Sequence, residues 1–252
     1  MPFSPATESE VNVFSSSFFL SSLASLPPLP PHFPLYFHIL YHVLFYNSVK
    51  NVKQKTADWD KIGFAVCGSC WSFATTGALE GALFLKTGVL TPLSQQILID
   101  CSWGFGNRAC DGGQEPQAFE WIMKHGGIAT AEAYGPYMEA SWEGYQSITS
   151  QNLTDLKAAL YKHGPIAVNI DASHKSFAFY SNGIYYEPNC GNTTMELDHA
   201  VLAVGYGDLQ GEPYWLIKNS WSTYWGNDGY ILMSMKENNC GVTSSATYPI
   251  LA

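Results

Sequence analysis

The chain has 252 residues, 12 of them basic and 21 acidic, for a net charge of −9 at pH 7. That length is ample for one packed core or two lobes, and 46% hydrophobic with only 13% charged residues excludes a mainly disordered or coiled-coil chain. The acidic balance argues against a nucleic-acid partner, because phosphate binding needs a basic face.

Charge and cysteine are unevenly shared. Residues 1–57 carry Lys50, Lys53 and Lys55 against Glu8 and Glu10, and no cysteine. Residues 58–252 carry all six cysteines and a net charge of −10. Proline recurs at Pro2, Pro5, Pro27, Pro28, Pro30, Pro31 and Pro34, which prevents a continuous helix there. The apolar run Leu35–Tyr46 is short for a membrane span, which needs about 20 residues. Phe18 to Leu23, with small residues near Ala24, has the shape of a short signal-peptide core. No Lys or Arg precedes it, so the usual basic start is missing. His38 and His42 stand at helical spacing, but no Glu accompanies them as a metal-site motif would require. This leader reads as disordered, or as wrongly assigned to the coding sequence.

Cys67-Gly-Ser-Cys70-Trp-Ser-Phe opens the first predicted helix. Ser72 to Lys86 lacks proline, Ala74, Ala78, Ala82 and Leu85 recur near helical period, and Gly88 can form a left-handed cap. A face this small predicts close packing. A thiol at Cys70 would meet free N–H groups and the positive end of the helix dipole, which favour ionisation. That points to a nucleophile. A Cys67–Cys70 redox pair or zinc pair is the alternative reading. Zinc would need further ligands, and a redox pair would sit beside a βαβ pattern; neither is visible.

Ser94 can cap a short helix through Leu98. Gln114 to Lys124 reads as a helix with Pro116 near its start and Gly126-Gly127 after it. A fourth helix starts at Thr154-Asp155 and ends at Gly164-Pro165. Beyond Pro165 the pattern changes to short β-branched and aromatic runs: Ile166–Ile170, Gly183–Tyr186, Ala200–Tyr206, Tyr214–Lys218 and Tyr230–Met235. These read as antiparallel strands of a barrel or sandwich. The fold class is therefore α+β: a helical lobe over about 58–163 and a β lobe over about 164–252. Within the β part, His199 begins an apolar strand and Asn219 ends another. A thiol nucleophile needs a base, and the base needs an orienting group, so Cys70, His199 and Asn219 can fill three connected roles. His32, His38, His42, His125, His163 and His174 lack such a setting and read as surface or helix-end residues.

The motifs together resemble the papain-like cysteine peptidases. They are Cys67-Gly-Ser-Cys70-Trp71-Ser-Phe, Leu93-Ser-Gln-Gln, Asp100-Cys101-Ser, Cys110-Asp-Gly112-Gly113, Leu197-Asp198-His199-Ala-Val, Lys218-Asn219-Ser-Trp221, Trp225-Gly226 and Asn239-Cys240-Gly241. The stretches 77–88 and 222–230 look most like arthropod haemocyte and digestive cathepsins related to cathepsin L. The resemblance covers residues 58–248 and implies a papain-like two-lobed fold.

The resemblance also implies roles. Cys70 would be the thiolate nucleophile, His199 its imidazolium partner and proton donor, and Asn219 the orienting group that Trp221 shields. Gly112 and Gly113 would present backbone to an extended substrate, and Asn169, Asp198 and Ser245 would join them in substrate binding, with Glu115 nearby. Cys67–Cys110 and Cys190–Cys240 would be disulfides, which places the protein in a lysosomal or extracellular compartment. Sequons at Asn152 and Asn192 agree with that. No metal, cofactor, nucleic acid or membrane span is implied. The expected partners are protein or peptide substrates and cysteine-protease inhibitors, with a monomer as default. No stretch resembles the segment that blocks the cleft in exopeptidase relatives, so endopeptidase activity is implied.

Four departures qualify this. Where the family has an oxyanion glutamine, six residues before the nucleophile, this chain has Phe64; Gln54 lies too early, and the gap after Asp58-Trp59 is short. Cys101 has lost the segment after Gly135-Pro136-Tyr137 that carries its usual partner, so it would be a free thiol. Asn169 replaces a small residue in the main specificity pocket. The family's helical pro-region is not recognisable in residues 1–57. An inactive homologue that binds only peptides or inhibitors is the competing expectation. Clean losses beside well-kept motifs predict a spliced variant or a defective gene model. Sequencing the transcript tests this: an uninterrupted mRNA for the whole chain would exclude the defective model.

Overall fold

The computed structural model describes residues 67–132 and 142–251. The leader, Phe64 and Met138 lie outside them. Five α-helices and seven strands appear among the described residues: α1 (Cys70–Thr87), α2 (Gln95–Cys101), α3 (Glu115–His125), β1 (Trp142–Ser147), α4 (Leu153–His163), β2 (Ile166–Ile170), α5 (Lys175–Ala178), β3 (Ile184–Tyr185), β4 (His199–Leu209), β5 (Glu212–Lys218), β6 (Tyr230–Ser234) and β7 (Ala246–Leu251).

Local chemistry sets the helix ends. Gly88 takes the left-handed conformation at φ 73° and returns its N–H to Phe84 O, closing α1. The Ser94 hydroxyl accepts from Ile97 N–H at the start of α2, which runs on to Cys101. Pro116 sits in the first turn of α3, where its missing N–H costs nothing, and left-handed Gly126 ends the helix. Asn152 caps α4 by accepting from Asp155 N–H at 3.0 Å. The four-residue helix α5 was not anticipated.

The sheet order is β1-β7-β2-β4-β5-β6-β3. Five of its six pairings are antiparallel, as expected, but β3 runs parallel to β6. That corrects the all-antiparallel expectation. Strands β1 and β7 carried little strand signal. β1 (WEGYQS) is a largely polar edge, and β7 contains Pro249. This proline lies beyond the short β2 pairing at Thr247 and Ala246, where β7 has only β1 as neighbour, so a missing donor is tolerated. The pairing of β1 with β7 also carries a strand of the first half into the C-terminal sheet.

Two apolar clusters build the core. One gathers α4 and residues of β2, β4, β5 and β6 around Phe177, Trp215 and Ile231. The other packs α1 and α3 on the face of β4 and β5 through Trp71, Leu79, Phe119 and Leu202. The small residues of α1 let it settle deeply. Ala78 is fully buried, a Cβ on Gly77 would come within 2.7 Å of Leu202 Cδ2, and one on Gly81 within 2.5 Å of the Pro165 ring. Leu202 can turn aside, but the Pro165 ring is rigid. Gly81→Ala should therefore lower stability by about 1–3 kcal/mol, the usual cost of overpacking. Gly77→Ala should cost less, and urea midpoints of the two variants check the order.

Candidate active site

Cys70 is the first residue of α1, and three contacts anchor the loop beside it. Cys67 is disulfide-bonded to Cys110, Gly68 N–H donates to Cys110 O at 2.8 Å, and the buried Trp71 indole donates to Ala109 O. A Cβ at Gly68 would lie 2.7 Å from Cys110 O, so only glycine permits that approach. Because Cys67 pairs with Cys110, the Cys67–Cys70 redox or zinc pair does not form. Gly112 has φ 105° and open space where a Cβ would stand; at Gly113 a Cβ would meet Asn107 Oδ1 and the Trp71 ring. Asn107, which the sequence reading missed, organises this loop. It is 1% exposed, accepts from Gln114 N–H and donates to Ser102 Oγ.

His199 begins β4 opposite Ile170 of β2. Its Nε2 donates to Asn219 Oδ1 at 2.8 Å, with both residues buried. This contact fixes the ring and leaves Nδ1 as the free nitrogen. Asn219 is held by its own N–H on Gly229 O. Trp221 is half-exposed, with its ring 5.1 Å from the imidazole. Phe177 of α5 meets Trp221 edge-on at 5.4 Å, and the Trp225 indole donates to the carbonyls of Phe177 and Ala178. The aromatic wall beside the histidine thus has a second layer, Phe177 and Trp225. The Trp-Gly motif was a partial signal for it, but nothing marked Phe177.

Backbone N–H groups of Ala200, Trp71 and Cys70 itself stabilise the thiolate form of Cys70, Ala200 most of all. Since Ala200 follows His199, this places the start of β4 at the sulfur. Burial nevertheless pushes the Cys70 thiol up, and the nearby Glu115 carboxyl adds to the rise. Desolvation thus opposes the ionisation that a helix start favours. Burial likewise pushes the His199 imidazole down, against the Asn219 bond and Asp198.

The other expected contacts divide. Asn169 of β2 donates from Nδ2 to Glu115 Oε2 at 3.2 Å and lies 3.5 Å from Ser245 Oγ, so these three residues meet. Glu115 is 2% exposed, its Oε1 has no partner among the described residues, and burial pushes its pKa up. Asp198 is exposed and accepts from Ala172 N–H, which ties down the loop after β2. Cys190 and Cys240 form the second disulfide, and Cys101 is an exposed free thiol. His125 and His163 lie at helix ends, stacked on Trp121 and Tyr248. Asp171, His174 and Cys190 form a cluster of potential metal ligands, but the Cys190 sulfur is already bridged. Among the described residues no helix is long and apolar enough to cross a membrane.

The thiol at a helix start, the histidine fixed by an asparagine and the two glycines on a disulfide-tethered loop make up the candidate site. Residues 49–250 match the family described as papain family cysteine protease, and the chain belongs to that family. It is 47% identical over 218 residues to a cathepsin L-like peptidase of Aedes aegypti, covering 78% of this chain and 63% of that protein. It is 45% identical to digestive cysteine proteinase 2 of Homarus americanus, over 82% of this chain and 70% of that protein. Procathepsin L of Rattus norvegicus is 44% identical over 78% and 65%, respectively. The chain thus spans about two thirds of these relatives' lengths. It is cathepsin L-like within its family.

Behind the site, Glu80 of α1 accepts Leu93 N–H at 2.9 Å and interacts with Lys218, the residue before Asn219. Burial around its charged end pushes Glu80 up to about 7, against the pull of Lys218, and pushes Lys218 down. The folded chain thus holds the Glu80 proton more tightly than the unfolded chain, whose carboxyl titrates near 4.5. The resulting stabilisation is complete below the unfolded value and is lost as pH rises through about 7. Urea midpoints should fall across that window, and Glu80→Gln should flatten the fall while keeping an acceptor for Leu93.

Proposed function

We propose that the chain is a cysteine endopeptidase acting through an acyl-enzyme. The observation that carries this reading is the 2.8 Å His199–Asn219 bond, which fixes the imidazole on the strand whose next N–H, that of Ala200, serves the Cys70 sulfur. In the reaction Nδ1 of His199 takes the thiol proton, and the two charges formed support each other where each alone is disfavoured. The thiolate adds to the peptide carbonyl, with the Cys70 N–H serving the oxyanion. His199 returns the proton to the leaving amine, and water then releases the acyl group. Gly112 and Gly113 offer backbone to an extended substrate. Glu115, Asn169 and Ser245 make one specificity pocket polar. Residues 58–252 would form the peptidase domain, working as a monomer on proteins or peptides and open to cysteine-protease inhibitors. The two disulfides support a lysosomal or extracellular location.

One observation favours a second reading, an inactive homologue that only binds peptides or inhibitors: Phe64 stands where the family's oxyanion glutamine would. A thiol-alkylating epoxide separates the two. The endopeptidase reading expects labelling at Cys70 that Cys70→Ala abolishes; an unlabelled folded chain would sink it. Inserting the glutamine-bearing loop should raise peptide turnover about 10²–10³-fold, the usual worth of one oxyanion donor.

A further inference from the structure

Two sequons remain outside the catalytic assembly, Asn152-Leu-Thr154 and Asn192-Thr-Thr194. They have equal standing as motifs, since each offers an asparagine amide and a threonine two residues on. The fold treats them differently. Asn152 follows the exposed turn Thr149-Ser150-Gln151, and both it and Thr154 are exposed. Its Oδ1 is occupied as the α4 cap, accepting from Asp155 N–H, while its Nδ2 has no partner among the described residues. A sugar on Nδ2 would leave Oδ1, and so the cap, intact.

Asn192 is half-buried two residues after Cys190. The Cys190–Cys240 bridge draws its loop against residues 237–241. There its Nδ2 donates to Glu237 O, its carbonyl accepts from Ser244 Oγ, and its Cα lies 3.3 Å from where a Gly241 Cβ would stand. Its N–H, with the N–H and hydroxyl of Thr193, also donates to Glu196 Oε2. A glycan there would displace the Glu237 contact and crowd a loop that must close with the disulfide.

We propose that Asn152 is the N-glycosylation site of this chain and that Asn192 stays unmodified in the folded protein. In the transfer, Nδ2 of Asn152 attacks the anomeric carbon of a lipid-pyrophosphate-linked oligosaccharide. The C–N bond forms, the C–O bond to pyrophosphate breaks, the amide loses one proton, and the lipid pyrophosphate leaves. No oxidant or reductant is needed. Because transfer precedes folding, the fold acts by deciding which occupied form can complete its disulfides and leave the cell. The inference rests on the secretory location proposed above.

The test expresses the full chain in insect cells, with and without an added cleavable secretion signal. Secreted protein is treated with peptide-N-glycosidase in ¹⁸O water and mapped by mass spectrometry. With the signal, ¹⁸O-aspartate is expected at Asn152 and not at Asn192. Thr154→Ala, which spares the Asn152 cap, should abolish the glycan mobility shift, and Asn192→Gln should leave it unchanged. An unmodified Asn152 in disulfide-bonded protein, or equal occupancy at Asn192, would overturn the assignment. If only the signal-bearing chain is glycosylated at Asn152, the secretory reading fails for the native chain while the site assignment stands.

Discussion

The structure depends on how closely α1 can approach the sheet. Gly77, Ala78 and Gly81 remove the side chains that would hold α1 away from Leu202 and Pro165. Interiors are close-packed, so even a methyl group at such a contact is felt. The same approach brings the start of α1 to the start of β4, where the Ala200 N–H serves the Cys70 sulfur. Helix packing and nucleophile placement are thus one constraint.

That closeness carries an electrostatic cost. Taking Cys70, His199, Glu80, Glu115 and Lys218 out of water disfavours each charge. The fold offsets this with directed partners. Asn219 accepts from His199, Leu93 N–H donates to Glu80, and Asn169 donates to Glu115. Glu80 and Lys218 connect α1 to β5, which ends one residue before Asn219, so the support of the orienting asparagine runs back into the helix that carries the thiol.

Two long loops are tied down by covalent and polar anchors. Cys67–Cys110, the Gly68–Cys110 bond and Asn107 hold the glycine loop; Cys190–Cys240 and Asp171, which accepts Gly191 N–H, hold the loop that follows Cys190. Cys101 remains outside this scheme as an exposed thiol. In an oxidising compartment it is the side chain most open to unwanted pairing.

Much was legible in the sequence because the signals were local. Caps at Gly88, Ser94 and Gly126 bounded helices, β-branched runs marked β2, β4, β5 and β6, and the motif order named Cys70, His199 and Asn219. Strands β1 and β7 were not legible, since one is a polar edge that has only β7 beside it and the other contains Pro249 and is placed by its pairing with β1 and β2. Phe177 and Asn107 were hidden for a related reason. Residue type and spacing determined which groups could perform the chemistry. Only the tertiary structure decided their partners and their surroundings, because burial and contacts between residues far apart in the chain exist only once it has closed on itself.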